Sequence, residues 1–302
     1  MTALNRARLG ASRLAAFAAL ALPALAHAHG VAGDRFFPAT LVIEDPAAAD
    51  ELALPTVSYL EGDGAETSIS AEYSKRLTRT LSVSVGGEWT RQKEAGLPAA
   101  TGFQNLETGA KWQFLTSAAH EAILSAVVDV EWQGTGATGV GAERHTTITP
   151  GLMFGKGAGD LPQSLGWARP FAVTGQVGYA IPSRRRDPGE PEDNPRVLSW
   201  GLALEYSLPY LQAQVKDLGL PAPFNRMTPL VEASFETPVT GPDRRTTGTI
   251  NPGLIWAGRK VQIGAEARFP INAASGRGVG GVVQMHFYLD DVFPRSLGKP
   301  IW

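Results

Sequence analysis

Acidic side chains recur at every second position along several extended stretches of the sequence, with apolar side chains between them. Asp129 and Glu131, for example, flank Val130. Successive side chains of a β-strand point to opposite faces, so this alternation predicts that the carboxylates share one face. Only Lys111 and Arg268 bring positive charge to these faces. The acidic residues placed there are Glu72, Glu88, Glu107, Asp129, Glu131, Glu205, Glu232, Glu236 and Glu266.

Two interpretations of these carboxylates are open if the polar faces enclose an interior. Rings of Asp and Glu select cations in channels, which predicts a water-filled passage that favours cations. In the alternative, the carboxylates form hydrogen bonds with Lys111, Arg268, Tyr288 and with Ser or Thr neighbours, and simply fill the interior. His286 belongs to the same polar face of the last stretch. The candidate permeation residues are therefore these acids together with Lys111, Arg268 and His286.

The histidines offer one candidate metal site and one candidate catalytic residue. Cleavage of a signal peptide after Ala26 would leave His27 and His29 beside a free amino group, a set of nitrogen ligands that suits Cu(II). The alternative is that both histidines belong to the tail of the signal peptide. His145 is expected near the outer rim of the molecule, where the catalytic histidine of an outer-membrane hydrolase would lie. No nucleophile motif accompanies it. The sequence therefore predicts no enzyme and no cofactor.

Composition excludes several classes of function. The chain contains no cysteine, which rules out disulfides, thiolate metal sites and Fe–S clusters. A formal net charge of −2 gives no electrostatic support for a nucleic-acid partner. The 34 glycines and 22 prolines favour many strands and turns over long helices.

The first residues have the pattern of an export signal. Arg6, Arg8 and Arg13 precede an apolar run at residues 14–25, which is shorter than the about 20 residues of a membrane helix. We expect a cleaved signal peptide, with an uncleaved anchor as the alternative. The predicted divisions are a signal peptide at 1–28, a lead-in at 29–51 that is periplasmic or tucked into the molecule, a β-barrel at 52–290 and a C-terminal tail at 291–302.

The alternating pattern recurs in about 12 stretches of roughly ten residues, the repeat of outer-membrane barrels. Such barrels have short turns at the periplasmic end and longer loops outside. The sequence shows the same asymmetry, with short turns at 78–80, 116–119 and 257–260 and longer gaps at 184–196 and 241–247. We therefore predict an all-β fold: a transmembrane antiparallel up-and-down β-barrel of about 12 strands whose last strand pairs with the first. A short periplasmic helix is predicted near residues 210–218.

The distribution of aromatic residues favours a membrane barrel over a soluble β-protein. Trp and Tyr close many of the apolar faces, as in the aromatic girdles at a lipid–water boundary. A soluble protein would also place many Lys and Arg on its polar faces, whereas these faces carry mostly carboxylates. A soluble periplasmic β-domain is the remaining alternative. The girdle residues are Tyr73, Trp89, Trp112, Trp132, Tyr179, Tyr206 and Trp256.

The first and last strands carry two local predictions. Proline cannot donate a ladder hydrogen bond, so Pro55 is expected at an edge or at the start of a strand. In the last strand, Val283, Met285, Phe287 and Leu289 share one face and are expected to contact lipid.

Two segments carry a resemblance to known proteins. Residues 33–46 read GDRFFPATLVIEDP, and residues 207–232 read SLPYLQAQVKDLGLPAPFNRMTPLVE. Together with the strand pattern they resemble the cysteine-free outer-membrane barrels of Gram-negative bacteria that are described as transporters, including the group associated with meta-pathway phenol degradation. The resemblance covers most of the mature chain and contains no catalytic motif. It implies the fold and an outer-membrane location and, less strictly, transport.

These observations favour a channel for small solutes or ions. The first rival is a structural or accessory barrel with a plugged lumen, and the second is the soluble periplasmic domain. The expected partners are outer-membrane lipid, lipopolysaccharide against the charged loop at residues 184–196, and a small-molecule or ion solute. No nucleic acid is expected.

Overall fold

The computed structural model describes residues 30–61, 64–94 and 96–302. The predicted signal peptide at residues 1–28 and the candidate copper ligand His29 lie outside the described residues. Within the described part of the chain, no helix is long and apolar enough to cross a membrane.

The sheet closes into a barrel. The described residues form a small hairpin of two strands and one sheet of 13 strands. Strand β6 has four residues and continues β7 along β5, so the wall consists of 12 antiparallel strands. Strand β15 pairs with β3, as predicted for the last and first strands. The predicted fold class is confirmed. The strands are β1 (Val31–Ala32), β2 (Arg35–Phe36), β3 (Glu51–Glu61), β4 (Gly64–Arg76), β5 (Leu81–Glu94), β6 (Ala100–Phe103), β7 (Leu106–Ser117), β8 (Ala122–Trp132), β9 (Thr147–Gly157), β10 (Phe171–Pro182), β11 (Val197–Tyr206), β12 (Met227–Pro238), β13 (Thr247–Ala257), β14 (Val261–Pro270) and β15 (Gly280–Tyr288).

Alternation along each strand separates an outer apolar face from an inner polar face. On β11, Leu202 and Leu204 are exposed on the outside, whereas Ala203 and Glu205, which alternate with them, are buried inside. Lipid offers no hydrogen-bond partner to an unpaired backbone N–H or C=O group. A closed ladder of strands with an apolar exterior is therefore the stable arrangement in a membrane. Two of the predicted girdle residues are well exposed on this outer face. Trp112 and Trp132 are 55% and 45% exposed on the outer face, near opposite ends of the wall.

Pro55 lies inside a strand that is paired on both sides, so its predicted position at an edge or strand start is wrong. The ladders of β3 with β15 and with β4 both shift register between Ala53 and Thr56. A bulge of this kind leaves a residue without a ladder partner, which is where a sheet tolerates proline. The barrel therefore accommodates Pro55 by a bulge.

The connections differ between the two ends of the barrel. We call one end the turn end, because residues 77–80, 118–121 and 258–260 connect strands there. The other is the loop end, with longer connections that include residues 133–146 and 183–196. The predicted short helix is present at the turn end, as a helical turn at Leu208–Tyr210 (α1) followed by a π-helical turn at Leu211–Val215. It begins earlier than expected because the Ser207 hydroxyl caps the Tyr210 N–H.

The chain leaves the barrel at Tyr288 and folds back under the turn end. Leu289 starts the helical turn α2 (Leu289–Val292) and is 4% exposed, so the prediction that it faces lipid is wrong. The tail then runs beside β4: Ile301 N–H donates to the Arg76 carbonyl and Trp302 N–H to the Leu77 carbonyl. The tail therefore covers part of the turn end.

The lead-in enters the barrel. Residues 38–49, which we call the plug, occupy the interior and are almost entirely buried. Of the two predicted placements of the lead-in, the one inside the molecule is found. Apolar residues of the lead-in pack on inward-facing apolar side chains: Ala47 of the plug and the preceding Phe37 against Ile123, and Leu41 against Leu230 and Ile255.

Buried ion pairs fix both ends of the plug at the turn end. Before the plug, Arg35 donates to Glu121 at 3.1 Å and stacks on the Tyr210 ring at 3.8 Å. After the plug, Asp50 accepts from Lys75 Nζ at 2.5 Å and from Arg76 Nε at 2.7 Å. Both ends of the segment are thus held at the same rim, so the plug is a loop that rises into the lumen and returns.

We expect Asp50→Ala to lower the free energy of unfolding by roughly 3 kcal/mol, because removing one partner of a buried ion pair leaves the other charge unpaired. Urea unfolding of the barrel in lipid vesicles, followed by the heat-modifiable band on gels, measures the change. Asp34→Ala, an exposed residue of the β1–β2 hairpin, is the matched control. Equal stability of the two variants would contradict the assigned role of Asp50.

Candidate functional site: the plug and the acidic vestibule

The tip of the plug is held by one carboxylate of the wall. The backbone N–H groups of Leu41, Val42 and Ile43 donate to Glu232 at 2.7, 3.0 and 2.8 Å. Three successive N–H groups that converge on one anion form a nest, a strong site for a negative charge. Glu232 lies on β12 and is fully buried. Its carboxylate therefore satisfies three donors that would otherwise be unpaired in the interior.

Glutamine side chains of the wall form further hydrogen bonds with the plug backbone. Gln262 Nε2 donates to the Ala39 carbonyl at 2.5 Å, and Gln176 Oε1 accepts the Glu44 N–H at 2.9 Å. Gln113 Oε1 accepts the Ala48 N–H at 3.0 Å. These side chains come from β14, β10 and β7, so the plug bridges distant parts of the wall.

Glycines on the inner face make room for the plug tip. A Cβ at Gly201 would lie 2.5 Å from Ile43 Cγ2, and a Cβ at Gly264 would lie 2.6 Å from Leu41 Cδ1. Both distances are shorter than any real contact of a Cβ atom. Close approach of the plug side chains to the strand backbone, rather than a turn, therefore explains glycine at these two strand positions.

Lys111 links the plug to the opposite side of the wall. Its ammonium group donates to the Asp45 carbonyl at 2.9 Å and lies 3.2 Å from the Glu44 carboxylate. Burial raises the pKa of Asp45 to about 6, and the neighbouring Glu51 charge adds to this rise while Lys111 opposes it. Asp45 therefore holds its proton up to a higher pH than an ordinary carboxyl group does.

A cavity of about 500 Å³ lies on the loop side of the plug, and we call it the vestibule. The plug tip forms its floor, strands β3, β4, β5, β7, β8 and β15 form its walls, and it extends to Gly141 and Glu143 in the loops. Lys111 and His286 are the basic residues of this lining. Eight carboxylates line it: Glu44, Asp45, Glu51, Glu72, Glu88, Glu107, Glu131 and Glu143.

The predicted permeation residues separate into groups in the structure. Glu72, Glu88, Glu107 and Glu131 line the vestibule together with Lys111 and His286. Asp129 lines a crevice of about 10 Å³ between the plug and the wall, beside Lys111 and Glu44.

The other predicted residues lie away from the vestibule. Glu205, Glu232 and Glu266 are buried on the inner face, and Glu236 is exposed. Arg268 Nη1 donates to the Ser58 hydroxyl at 2.7 Å.

Sequence reasoning missed four of the vestibule acids. Glu44, Asp45 and Glu51 belong to the lead-in or to the start of β3, and Glu143 belongs to a loop, so no alternation marks them. The one sequence signal for the acids of the lead-in is their composition: they follow an apolar run at residues 41–43 in a segment that lacks the alternation of a strand. His286 is held by one of these residues, with its Nε2 2.9 Å from Glu51 Oε2.

His145 is engaged by two carboxylates at the loop end. Its Nε2 lies 2.9 Å from Glu143 and its Nδ1 lies 2.9 Å from Asp187. The contacts join the loops at 133–146 and 183–196, and both ring nitrogens are occupied. Among the described residues, no group of three or more His, Asp or Glu is arranged to hold a metal ion.

The barrel, its apolar exterior and its polar interior define a transmembrane β-barrel of the outer-membrane type. No protein-family model matches the chain. No curated protein matches it either. Among solved structures, the chain is similar to an outer membrane channel from Pseudomonas putida F1, with 11% identity over 84% of this chain and 99% of that chain and a TM-score of 0.57. It is also similar to the NanC porin, with 7% identity over 78% of this chain and 98% of that chain and a TM-score of 0.51. At such identities the likeness shows the fold.

We expect Glu232→Gln to loosen the plug tip, because a neutral amide replaces the charged acceptor of three N–H groups. Bonds to charged acceptors contribute about 1.5–3 kcal/mol each, so exchange of these amides with solvent should accelerate roughly tenfold or more. Hydrogen exchange of Leu41, Val42 and Ile43, followed by mass spectrometry, measures this. Glu236→Gln, on the same face of the same strand, is the control. Unchanged protection in Glu232→Gln would show that the nest does not hold the plug.

Proposed function

We propose that the protein is an outer-membrane channel for small solutes that favours cations, and that the plug closes it in this conformation. The observation that carries the proposal is the vestibule lining, in which eight carboxylates face one lysine and one histidine. Acidic linings raise the local concentration of cations and repel anions. The fold shared with an outer membrane channel and a porin supports the same class of function.

The route past the plug follows the wall formed by β4, β5, β7 and β8. The crevice there connects Glu72 of the vestibule with Ser74, Ser82 and Asp129 deeper in the barrel. Its volume of about 10 Å³ holds about one water molecule. Lys111 borders both the vestibule and the crevice, so solute passage requires the plug or this side chain to move.

The surroundings of the barrel follow from the same proposal. The turn end, with the short helix and the tail, lies in the periplasm, as is usual for barrels of this kind. The apolar exterior contacts lipid, and the loop at residues 184–196 contacts lipopolysaccharide. The signal peptide at residues 1–28 directs export. A tie to the barrels of meta-pathway phenol degradation rests on the two segments that resemble them together with the strand pattern, and we assign no catalytic step.

A second candidate function is an accessory barrel whose lumen stays filled. The specific observation in its favour is the plug itself, which is fixed at both ends by buried ion pairs and at its tip by Glu232. Current through single molecules separates the two candidates.

The first prediction is that open molecules prefer potassium over chloride. In planar bilayers with a KCl gradient at pH 7, the reversal potential of wild type and of Glu232→Gln should have the sign of a cation-selective pore. Glu72→Gln/Glu107→Gln/Glu131→Gln should lower the permeability ratio at least about threefold, because the removed charges no longer concentrate cations. Glu192→Gln/Asp217→Asn, outside the lumen, is the control. Anion preference of the wild type would contradict the proposal.

The second prediction is that a disulfide can lock the plug. Ile43→Cys removes the Cγ2 atom that a Cβ at position 201 would meet, and this Cβ would lie 3.7 Å from the Ile43 Cβ, within the about 3.5–4.5 Å of natural disulfides. The same Cβ would lie 2.9 Å from the Ala233 carbonyl oxygen, so β12 must shift slightly to admit it. Because the chain has no cysteine, Ile43→Cys/Gly201→Cys can form only this intramolecular bond. Oxidation should abolish conductance and a reducing agent should restore it, whereas Ile43→Cys alone should be insensitive. Equal current in both states would show that the plug is not the gate, and no current in either would favour the accessory barrel.

A further inference from the structure

We propose that the vestibule binds a linear aliphatic polyamine, with successive ammonium groups on Glu72, Glu107 and Glu131. The inference rests on the proposed cation-favouring channel and names the class of solute that its outer cavity recognises.

The three carboxylates form one row across the wall. Glu72 on β4 is the partner of Gly86 on β5, Gly86 is the partner of Glu107 on β7, and Glu107 is the partner of Glu131 on β8. Neighbouring strands lie about 4.8 Å apart, so Glu107 and Glu131 are about 5 Å apart and Glu72 is about 10 Å from Glu107. Gly86 brings no side chain into the gap, so the row stays accessible from the cavity.

The spacing matches an extended chain of ammonium groups. Carbon and nitrogen bonds near 1.5 Å place amines that are separated by three or four methylene groups about 5–6 Å apart. One such spacing covers Glu107 and Glu131, and two cover the distance to Glu72. The cavity of about 500 Å³ lies in the range of sites for small organic ligands.

The carboxylates of the row have acceptor capacity for a ligand. Glu72 and Glu107 are exposed to the cavity, and neither has a hydrogen bond or an ion pair with the described residues. Glu131 accepts one hydrogen bond, from Asn105 Nδ2 at 2.8 Å. Lys111, the lysine of the lining, is held by the plug residues Glu44 and Asp45. The charge of the row is therefore not neutralised by a contacting base in the described part of the wall.

An amide on another part of the wall gives an independent indication of a donor-rich ligand. Gln284 of β15 lines the cavity and is 8% exposed. Its Nε2 donates to the Thr56 hydroxyl at 3.2 Å, whereas its Oε1 has no hydrogen-bond partner. A buried carbonyl oxygen without a donor is costly, and an ammonium group supplies donors and no acceptor.

The geometry favours an organic cation over a metal ion. A bound Ca²⁺ needs six or more oxygens within about 2.6 Å, so its ligands converge on one point. The row instead spreads its charges along the wall, and the described residues contain no convergent group of three acids or histidines. A chain of separated charges is the complementary ligand.

Calorimetric titration of the full-length barrel in detergent tests the proposal. The probes are spermidine, pentylamine as a monoamine of similar width, and Mg²⁺, all at low ionic strength where charge pairing is least screened. We expect spermidine to bind at least about tenfold more tightly than either other probe, and Glu72→Gln/Glu107→Gln to weaken it at least about tenfold. Glu192→Gln/Asp217→Asn should bind spermidine like the wild type.

Three results would overturn the proposal: equal affinity for spermidine and pentylamine, tighter binding of Mg²⁺ than of spermidine, or equal losses in the vestibule variant and the control variant. Binding in detergent does not depend on conductance. Loss of spermidine binding with preserved potassium selectivity in bilayers would therefore remove only the polyamine assignment. Chloride selectivity would remove the proposed function itself.

Discussion

Closure of the wall between β3 and β15 is the constraint on which the rest of the structure depends. In hydrocarbon no water replaces a missing ladder hydrogen bond, so every strand must be paired on both sides. Closure then divides each strand into a lipid face and an interior face, and it turns the alternation of Leu204 and Glu205 into an apolar exterior and a polar lumen. Pro55 is compatible with closure, because the bulge around this residue lets the ladder hydrogen bonds resume on either side of it.

A polar interior that is closed to lipid must satisfy its own groups, and the plug is how this barrel does so. Its backbone supplies donors to Glu232, Gln176 and Gln113, while inward-facing Leu230 and Ile255 pack on its apolar side chains. The mixture matters for function. Polar contacts lose less on exposure to water than a purely apolar core does, because water can replace each hydrogen bond. This composition fits the proposed role of the plug as a gate, because its hydrogen bonds to the wall are of a kind that water can replace.

The sequence predicted the strands, their inward and outward faces and the closure of the barrel, because alternation is a local property that each strand carries by itself. It did not predict the plug contacts. Glu232 and Leu41 are separated by 191 positions in the sequence, and Gln176 and Glu44 by 132. No repeating pattern of residues in the sequence indicates either contact. Leu289 was misplaced for a related reason: alternation continues past Tyr288, but the backbone turns helical there and buries the side chain.

The same distinction explains why acids that look equivalent in the sequence have different surroundings. Every one of them alternates with apolar residues, yet the plug tip leans on only part of the wall. The plug tip contacts β11, β12 and β14. There the Glu232 carboxylate accepts hydrogen bonds from the plug backbone, and Gly201 and Gly264 leave room for the plug side chains. The plug tip does not contact β4, β7 and β8, and there Glu72 and Glu107 face the vestibule. The position of the plug thus divides one repeated pattern into residues that hold the interior together and residues that face the open cavity.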